Sequence, residues 1–157
     1  MERKTIFSTC RRYRYVLWRE FGPDPERFVM FVCLNPSIAD ETENDPTLRR
    51  CIDFAKQWEF GALAMTNLFA FVATQPADMK AADDPVGPEN DVYLAAVAKE
   101  ASLIVVAWGE RGQFRMERDA DVLKLLNQPH CLGFTKYRRP RHPSRVRKNL
   151  SPIPFQP

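Results

Sequence analysis

The sequence predicts an α/β protein: a three-layer α/β/α sandwich around a central, mostly parallel four-stranded sheet, with an N-terminal strand or hairpin added. Three observations carry this. Short apolar runs rich in strand formers alternate with segments of helical periodicity. Parallel neighbours need long crossovers, which helices fill with a fixed hand. A length of 157 residues, 45% of them apolar, matches a single core and therefore one domain over residues 1–157.

Each element has a local reason. Tyr13 to Trp18 mixes aromatic and β-branched residues and reads as an early strand, reached from Ile6 and Phe7 through a turn. Gly22-Pro23-Asp24-Pro25 then breaks the chain. Phe28 to Leu34 is continuously apolar, the pattern of a strand covered on both faces, and Asn35-Pro36-Ser37 stops it because proline has no amide proton to give to the ladder. Asp45-Pro46 places a capping side chain before a proline at the first helical position. The helical spacing of Leu48, Cys51, Ile52, Ala55 and Trp58 follows, and the helix ends near Gly61.

A second central strand is expected over Leu63 to Phe69, then a polar, proline-containing loop. A helix from about Glu89 to Ala101 has Val92, Leu94, Ala95, Val97 and Ala98 as candidate packing residues. Leu103 to Trp108 reads as a third buried strand ending in Gly109, Glu117 to Asn127 as a helix, and His130 to Phe134 as a short fourth strand. After Thr135 the chain turns basic and proline-rich.

Composition excludes several function classes. No apolar run approaches the roughly 20 residues of a membrane helix, and Met1-Glu2-Arg3-Lys4 does not begin a secretory signal, so a cytoplasmic protein without a membrane partner is expected. Cys10, Cys33, Cys51 and Cys131 form no Cys-x-x-Cys pair, which argues for reduced thiols and against a zinc ribbon. Neither a phosphate-cradling Gly-x-x-x-x-Gly-Lys loop nor a Gly-x-Ser-x-Gly elbow is present, which disfavours nucleoside-triphosphate hydrolysis and a serine triad. The acids Asp40, Glu41, Glu43 and Asp45 match no calcium-loop spacing, and Asp45 is already explained as a helix cap; no metal and no cofactor are expected.

The net charge of +3 is concentrated. Lys136, Arg138, Arg139, Arg141, Arg145, Arg147 and Lys148 place seven bases and no acid within 136–148. Such a run suits a phosphate backbone; the plain alternative is a solvated tail. In open α/β sheets ligands bind beyond the carboxyl ends of the strands, which here carry Asn35-Pro36-Ser37, Thr66-Asn67-Leu68-Phe69, Trp108-Gly109-Glu110 and residues 135–144. Asn35 sits where a buried strand meets a rigid turn and suits orientation of a water or substrate, although Asn-Pro also simply initiates turns. Asn67 is an amide within an apolar strand. It offers both a donor and an acceptor, as a nucleobase edge requires, or serves a structural hydrogen bond. His142-Pro143-Ser144 puts an imidazole in the basic segment as an anion donor or simple phosphate contact, whereas His130 reads as structural.

Five runs together resemble the domain of unknown function 1643 family: Phe31 to Asp40, Asp45 to Cys51, Thr66 to Ala70, Asp84 to Asp91 and Pro140 to Pro143. The order of motifs is more remotely similar to that of the uracil-DNA glycosylase superfamily. Cys33-Leu34-Asn35-Pro36-Ser37 corresponds to that superfamily's water-positioning motif, Asn67 to its base-reading asparagine, Leu103 to Gly109 to its third strand, and His142-Pro143-Ser144 to its His-Pro-Ser loop. Departures are Ser37 in place of the Gly of Gly-Ile-Asn-Pro-Gly, bases after Ser144 in place of a proline and leucine wedge, and a cysteine spacing unlike that of iron-sulfur members.

The resemblance implies a glycosylase-like fold and a base-flipping enzyme that hydrolyses an N-glycosidic bond in nucleic acid, with DNA as the expected polymer. Under it Asn35 and His142 are catalytic, while Asn67, Phe69 and Ser37 bind the base, with Phe69 or Phe7 available for stacking, although as residues both read first as core aromatics. Lys136, Arg138, Arg139, Arg141, Ser144, Arg145, Arg147 and Lys148 hold the backbone. Two rivals remain open from the residues: a non-catalytic nucleic-acid-binding module of the same fold, and a hydrolase of free nucleosides or nucleotides.

Overall fold

The computed structural model describes residues 2–156. Seven strands form one sheet: β1 (Ile6–Phe7), β2 (Arg14–Glu20), β3 (Phe28–Cys33), β4 (Ala62–Asn67), β5 (Leu103–Val106), β6 (His130–Cys131) and β7 (Ile153–Pro154), in the spatial order β1-β2-β4-β3-β5-β6-β7. The helices are α1 (Pro46–Gln57), α2 (Pro76–Ala81), α3 (Asn90–Glu100) and α4 (Phe114–Leu123). Strand β3 pairs in parallel with β4 and β5, and β5 with β6. The pairs β1–β2, β2–β4 and β6–β7 are antiparallel. The expectation of a mostly parallel, four-stranded sheet therefore needs correction: the sheet is larger and mixed.

The β1–β2 pair is a short return, and the connection 21–27 reverses β3 relative to β2, so that β2 lies antiparallel to β4, the parallel partner of β3; β7 is reached through the longer segment 132–152. Between β2 and β3 the chain crosses the start of β4, where the amides of Phe21 and Gly22 both donate to the Gly61 carbonyl and Gly61 donates to Arg27. A Cβ on Gly61 would stand 2.1 Å from the Asp24 carbonyl oxygen, so only glycine fits this crossing. At the other flank, Ile153–Pro154 forms an edge strand, where proline's missing donor costs least.

Alternation along the central strands feeds two cores. Phe28, Met30 and Val32 of β3 point to the face covered by α2, α3 and α4, with Met79, Leu94, Val97 and Val122. Val29, Phe31 and Cys33 point to the face covered by α1, with Leu48, Cys51, Phe54 and Ala55. Both faces being covered explains why Phe28–Cys33 is apolar throughout. As the sequence predicts, Asp45 caps α1, its Oδ1 accepting from the Leu48 amide at 2.8 Å.

Other expectations change. On α3 the packed positions are Leu94 and Val97, while Val92 is 69% exposed and Ala95 is exposed, because they lie off the i, i+3, i+4 stripe. The last helix begins earlier than Glu117, and its first turn is irregular, with Arg115, Met116 and Glu117 at φ near +60°. Short α2 lies in the segment read as a loop, and β7 lies beyond the last expected strand. Among the described residues no helix is long and apolar enough to cross a membrane.

Candidate functional site

Because β3, β4, β5 and β6 run parallel, their carboxyl ends meet at one edge of the sheet. A cavity of about 580 Å³ opens there, within the size range of small-molecule sites. Its walls include Leu34, Asn35 and Ser37 after β3, Gly109, Glu110 and Arg111 after β5, and Thr135, Arg141, His142, Ser144 and Arg145 after β6. Thr47 at the start of α1 and Ala73, Thr74 and Pro76 before α2 close it.

The Asn35 amide is held by its nitrogen. Nδ2 donates to the Ala73 carbonyl at 2.8 Å and to the Pro36 carbonyl at 3.0 Å, which leaves Oδ1 as the acceptor it offers a ligand. The orientation rests on that donor pattern. Below this loop the buried Arg14 guanidinium donates through Nη1 to the Ala39 carbonyl at 2.9 Å, tying β2 to the segment that presents Ser37. Burial brings the Arg14 pKa down to about 10.

His142 opens a 3-10 turn, Pro143–Arg145, and caps it. Its Nδ1 lies 2.7 Å from Ser144 Oγ and accepts from the Ser144 amide at 3.2 Å. An Nδ1 that accepts from a backbone N–H places the proton of the neutral ring on Nε2, leaving Nε2–H as its free donor. Burial, and next the positive charge of Arg145, hold the His142 pKa below its ordinary value. The ring is thus a neutral donor at pH 7. Gly109, at φ +78°, lets the chain after β5 turn beside it, and its amide donates to the Pro140 carbonyl at 2.9 Å.

The basic segment divides in two. Residues 134–140 form a small finger: Phe134 bridges to Pro140, and the Thr135 amide donates to Arg139. Lys136 and Arg138 flank the tip residue Tyr137, which is 63% exposed; these residues and Arg139 do not line the cavity. Residues 146–150 instead lie strapped to α1 and its C-cap. Arg50 donates to the Val146 carbonyl, Gln57 Nε2 to Lys148 at 3.0 Å and Trp58 Nε1 to Leu150 at 2.9 Å. A solvated tail does not describe this stretch. Arg141 is held through Nε on the Phe134 carbonyl at 3.0 Å, leaving its two terminal nitrogens available. No carboxylate among the described residues forms a salt bridge with any of the seven bases.

Two expected base-binding residues lie elsewhere. Asn67 is 1% exposed and absent from the cavity wall; its carbonyl and that of Leu68 accept from the buried Asn90 side chain at 3.0 and 3.1 Å. Phe69 is fully buried against Phe114. The physical reason is that the chain after β4 stays paired: the Leu68 and Phe69 amides donate to Cys33 and Leu34, so the strand end is roofed and its side chains enter the core. Phe7, the other stacking candidate, lies under the Arg11 guanidinium and lines a separate cavity.

The acidic loop serves its own structure. Asp40 Oδ1 accepts from the Thr42 and Glu43 amides, Glu41 pairs with both terminal nitrogens of Arg11, and Asp45 caps α1. Among the described residues no group of three or more His, Cys, Asp or Glu side chains is arranged to hold a metal ion.

Arg111, Thr47 and Thr74 are cavity residues that reading by motif missed. The first followed from the strand-end rule applied one residue further; the two threonines carry no local signal.

Comparison with known families decides one point, through a family model that matches residues 14–144. The chain belongs to DUF1643, a family of proteins of unknown function. No curated protein and no solved structure matches it. The matched span of this DUF1643 member includes Asn35, Glu110, His142 and Ser144, and ends within the 3-10 turn that His142 caps.

Proposed function

We propose that this protein binds nucleic acid over the cavity, receives one extruded nucleotide in it, and hydrolyses that nucleotide's N-glycosidic bond. One observation carries the reading: Asn35 and His142, remote in sequence, line the same cavity together with Arg141 and Arg145.

In this mechanism Asn35 Oδ1 accepts a hydrogen bond from a water and aims it at C1′ of the sugar. As the water oxygen bonds to C1′, the C1′–N bond breaks and its electron pair leaves with the base. His142 Nε2–H donates to the base oxygen on which that charge accumulates, a role suited to a neutral imidazole. Glu110 is the one carboxylate of the cavity wall and receives the water's proton. Arg141 and Arg145 neutralise the phosphate that links this nucleotide to its neighbour. With Asn67 and Phe69 in the core, base selection falls to Ser37 and the other hydroxyls of the wall, Thr47, Thr74, Thr135 and Ser144.

The test is incubation with oligonucleotides bearing a panel of modified bases, followed by alkali to cleave abasic sites. Strand scission by the wild type that Glu110→Gln abolishes while binding persists supports the mechanism. Tight binding with no scission anywhere on the panel rejects catalysis and leaves a binding module. That second reading is favoured by one observation: both Asn35 Nδ2 hydrogens already serve the loop, so the amide has a structural task as well.

A further inference from the structure

A second cavity, of about 590 Å³, lies against the first, and the two share Arg141 and Arg145 as a common wall. Its remaining lining is Leu132, Val146, Arg147, Leu150, Ser151 and Ile153. Three arginines and no acid therefore line this space. Arg145 and Arg147 are exposed and have no carboxylate partner among the described residues. The backbone that carries Arg147 is fixed by the Arg50 and Trp58 bonds to Val146 and Leu150, so its charge is presented from a braced segment. Planar guanidinium groups on the wall of one acid-free space suit a phosphodiester.

We infer that the second cavity is a subsite for the phosphodiester next to the bound nucleotide, so that the ligand is a strand and not a free nucleotide. This rests on the nucleotide reading of the first cavity. Arg141 and Arg145 stand between the two spaces, where the linking phosphate of a strand would pass, and Arg147 takes the next one. A monomer fills one cavity and leaves Arg147 without an anion. The apolar side chains Val146, Leu150 and Ile153 provide a floor for the adjacent sugar.

The experiment is calorimetric and fluorescence titration of the full chain with a nucleoside monophosphate and with a labelled single-stranded decamer, at several salt concentrations. The inference predicts that the decamer binds at least about tenfold more tightly. Arg147→Gln is expected to lower the ratio of decamer to monomer affinity about threefold or more and to reduce the salt slope of decamer binding by about 1. Monomer binding as tight as decamer binding, or a decamer affinity and slope that Arg147→Gln leaves unchanged, overturns the subsite while the first cavity stands. If neither ligand binds, the nucleotide reading itself fails and the subsite falls with it. Arg147 is an exposed residue without a side-chain hydrogen bond among the described residues, so its replacement leaves the fold intact, and a melting curve checks this.

Discussion

The finger of residues 134–140 and the strap of residues 146–150 are both basic, yet they are built in opposite ways. The finger closes on itself, through the Phe134–Pro140 bridge and the Thr135 turn, and of its residues Lys136, Tyr137, Arg138 and Arg139 do not line the cavity. The strap closes on another element: side chains of α1 and its C-cap hold its carbonyls, and between finger and strap Arg141, His142, Ser144 and Arg145 line the cavity. Charge alone therefore does not locate a binding surface. The finger arginines are engaged by the finger and its neighbour, Arg138 lying over the Phe134 ring at 4.2 Å and Arg139 Nη1 donating to the Tyr137 carbonyl at 3.4 Å, whereas Arg145 and Arg147 make no side-chain hydrogen bond among the described residues and keep their donors for a ligand.

The largest test removes the brace. Trp58 stacks on Phe54 and Phe31 as well as donating to Leu150. Trp58→Ala is expected to cost about 3 kcal/mol of stability, and Trp58→Phe, which keeps an aromatic ring but loses the hydrogen bond and part of the stacked surface, about 1–2 kcal/mol. Urea unfolding measures both. If Trp58→Phe also weakens oligonucleotide binding, the brace contributes to presentation of the arginines as well as to stability.

Next come the charges. Arg141→Gln with Arg145→Gln is expected to weaken oligonucleotide binding by about tenfold or more and to reduce the salt slope by about 2. The triple replacement of Lys136, Arg138 and Arg139 by Gln is expected to cost only about twofold, by loss of long-range attraction. Anisotropy titrations at three salt concentrations compare the two sets, and equal losses would erase the distinction between the finger and the cavity wall. Removing the cap of the helix that bears the strap, by Asp45→Ala, should cost about 1 kcal/mol, read from the same urea curves.

The smallest effect concerns His142. Its folded pKa lies below 6.5, so in the interval between the folded and unfolded values the unfolded chain binds more protons. Stability is therefore lost as pH falls below 6.5, and the loss levels off below the folded pKa. Arg145→Gln removes a positive neighbour, raises the pKa and shrinks that loss. An NMR titration of the imidazole, beside unfolding at pH 7.5 and 5.5, checks the sign. A midpoint above 6.5 contradicts the burial of this ring.

Much of the fold was legible locally. The continuous apolar run of Phe28 to Leu34, the Asp45-Pro46 cap and the Leu103 start of β5 all follow from short-range pattern, and each appears where the pattern puts it. Asn35 and His142 were legible as strand-end and loop residues, and the structure brings them to one cavity. Asn67 was misplaced by the same rule. Its strand end is covered, because Leu68 and Phe69 continue to pair with the chain after β3 and Asn90 and Arg118 take the carbonyls beyond it. Nothing within Thr66-Asn67-Leu68 announces a partner more than 20 residues away.

The sequence by itself determined the apolar strands, the capped first helix, the concentration of bases after Thr135 and membership of DUF1643, since periodicity, capping and charge act over a few residues. Only the tertiary structure decided the mixed order of the sheet, the burial of Asn67 and the bracing of the basic strap on α1. Those outcomes depend on which distant carbonyls and side chains meet, and hydrogen-bond satisfaction in a packed interior is a property of the whole chain.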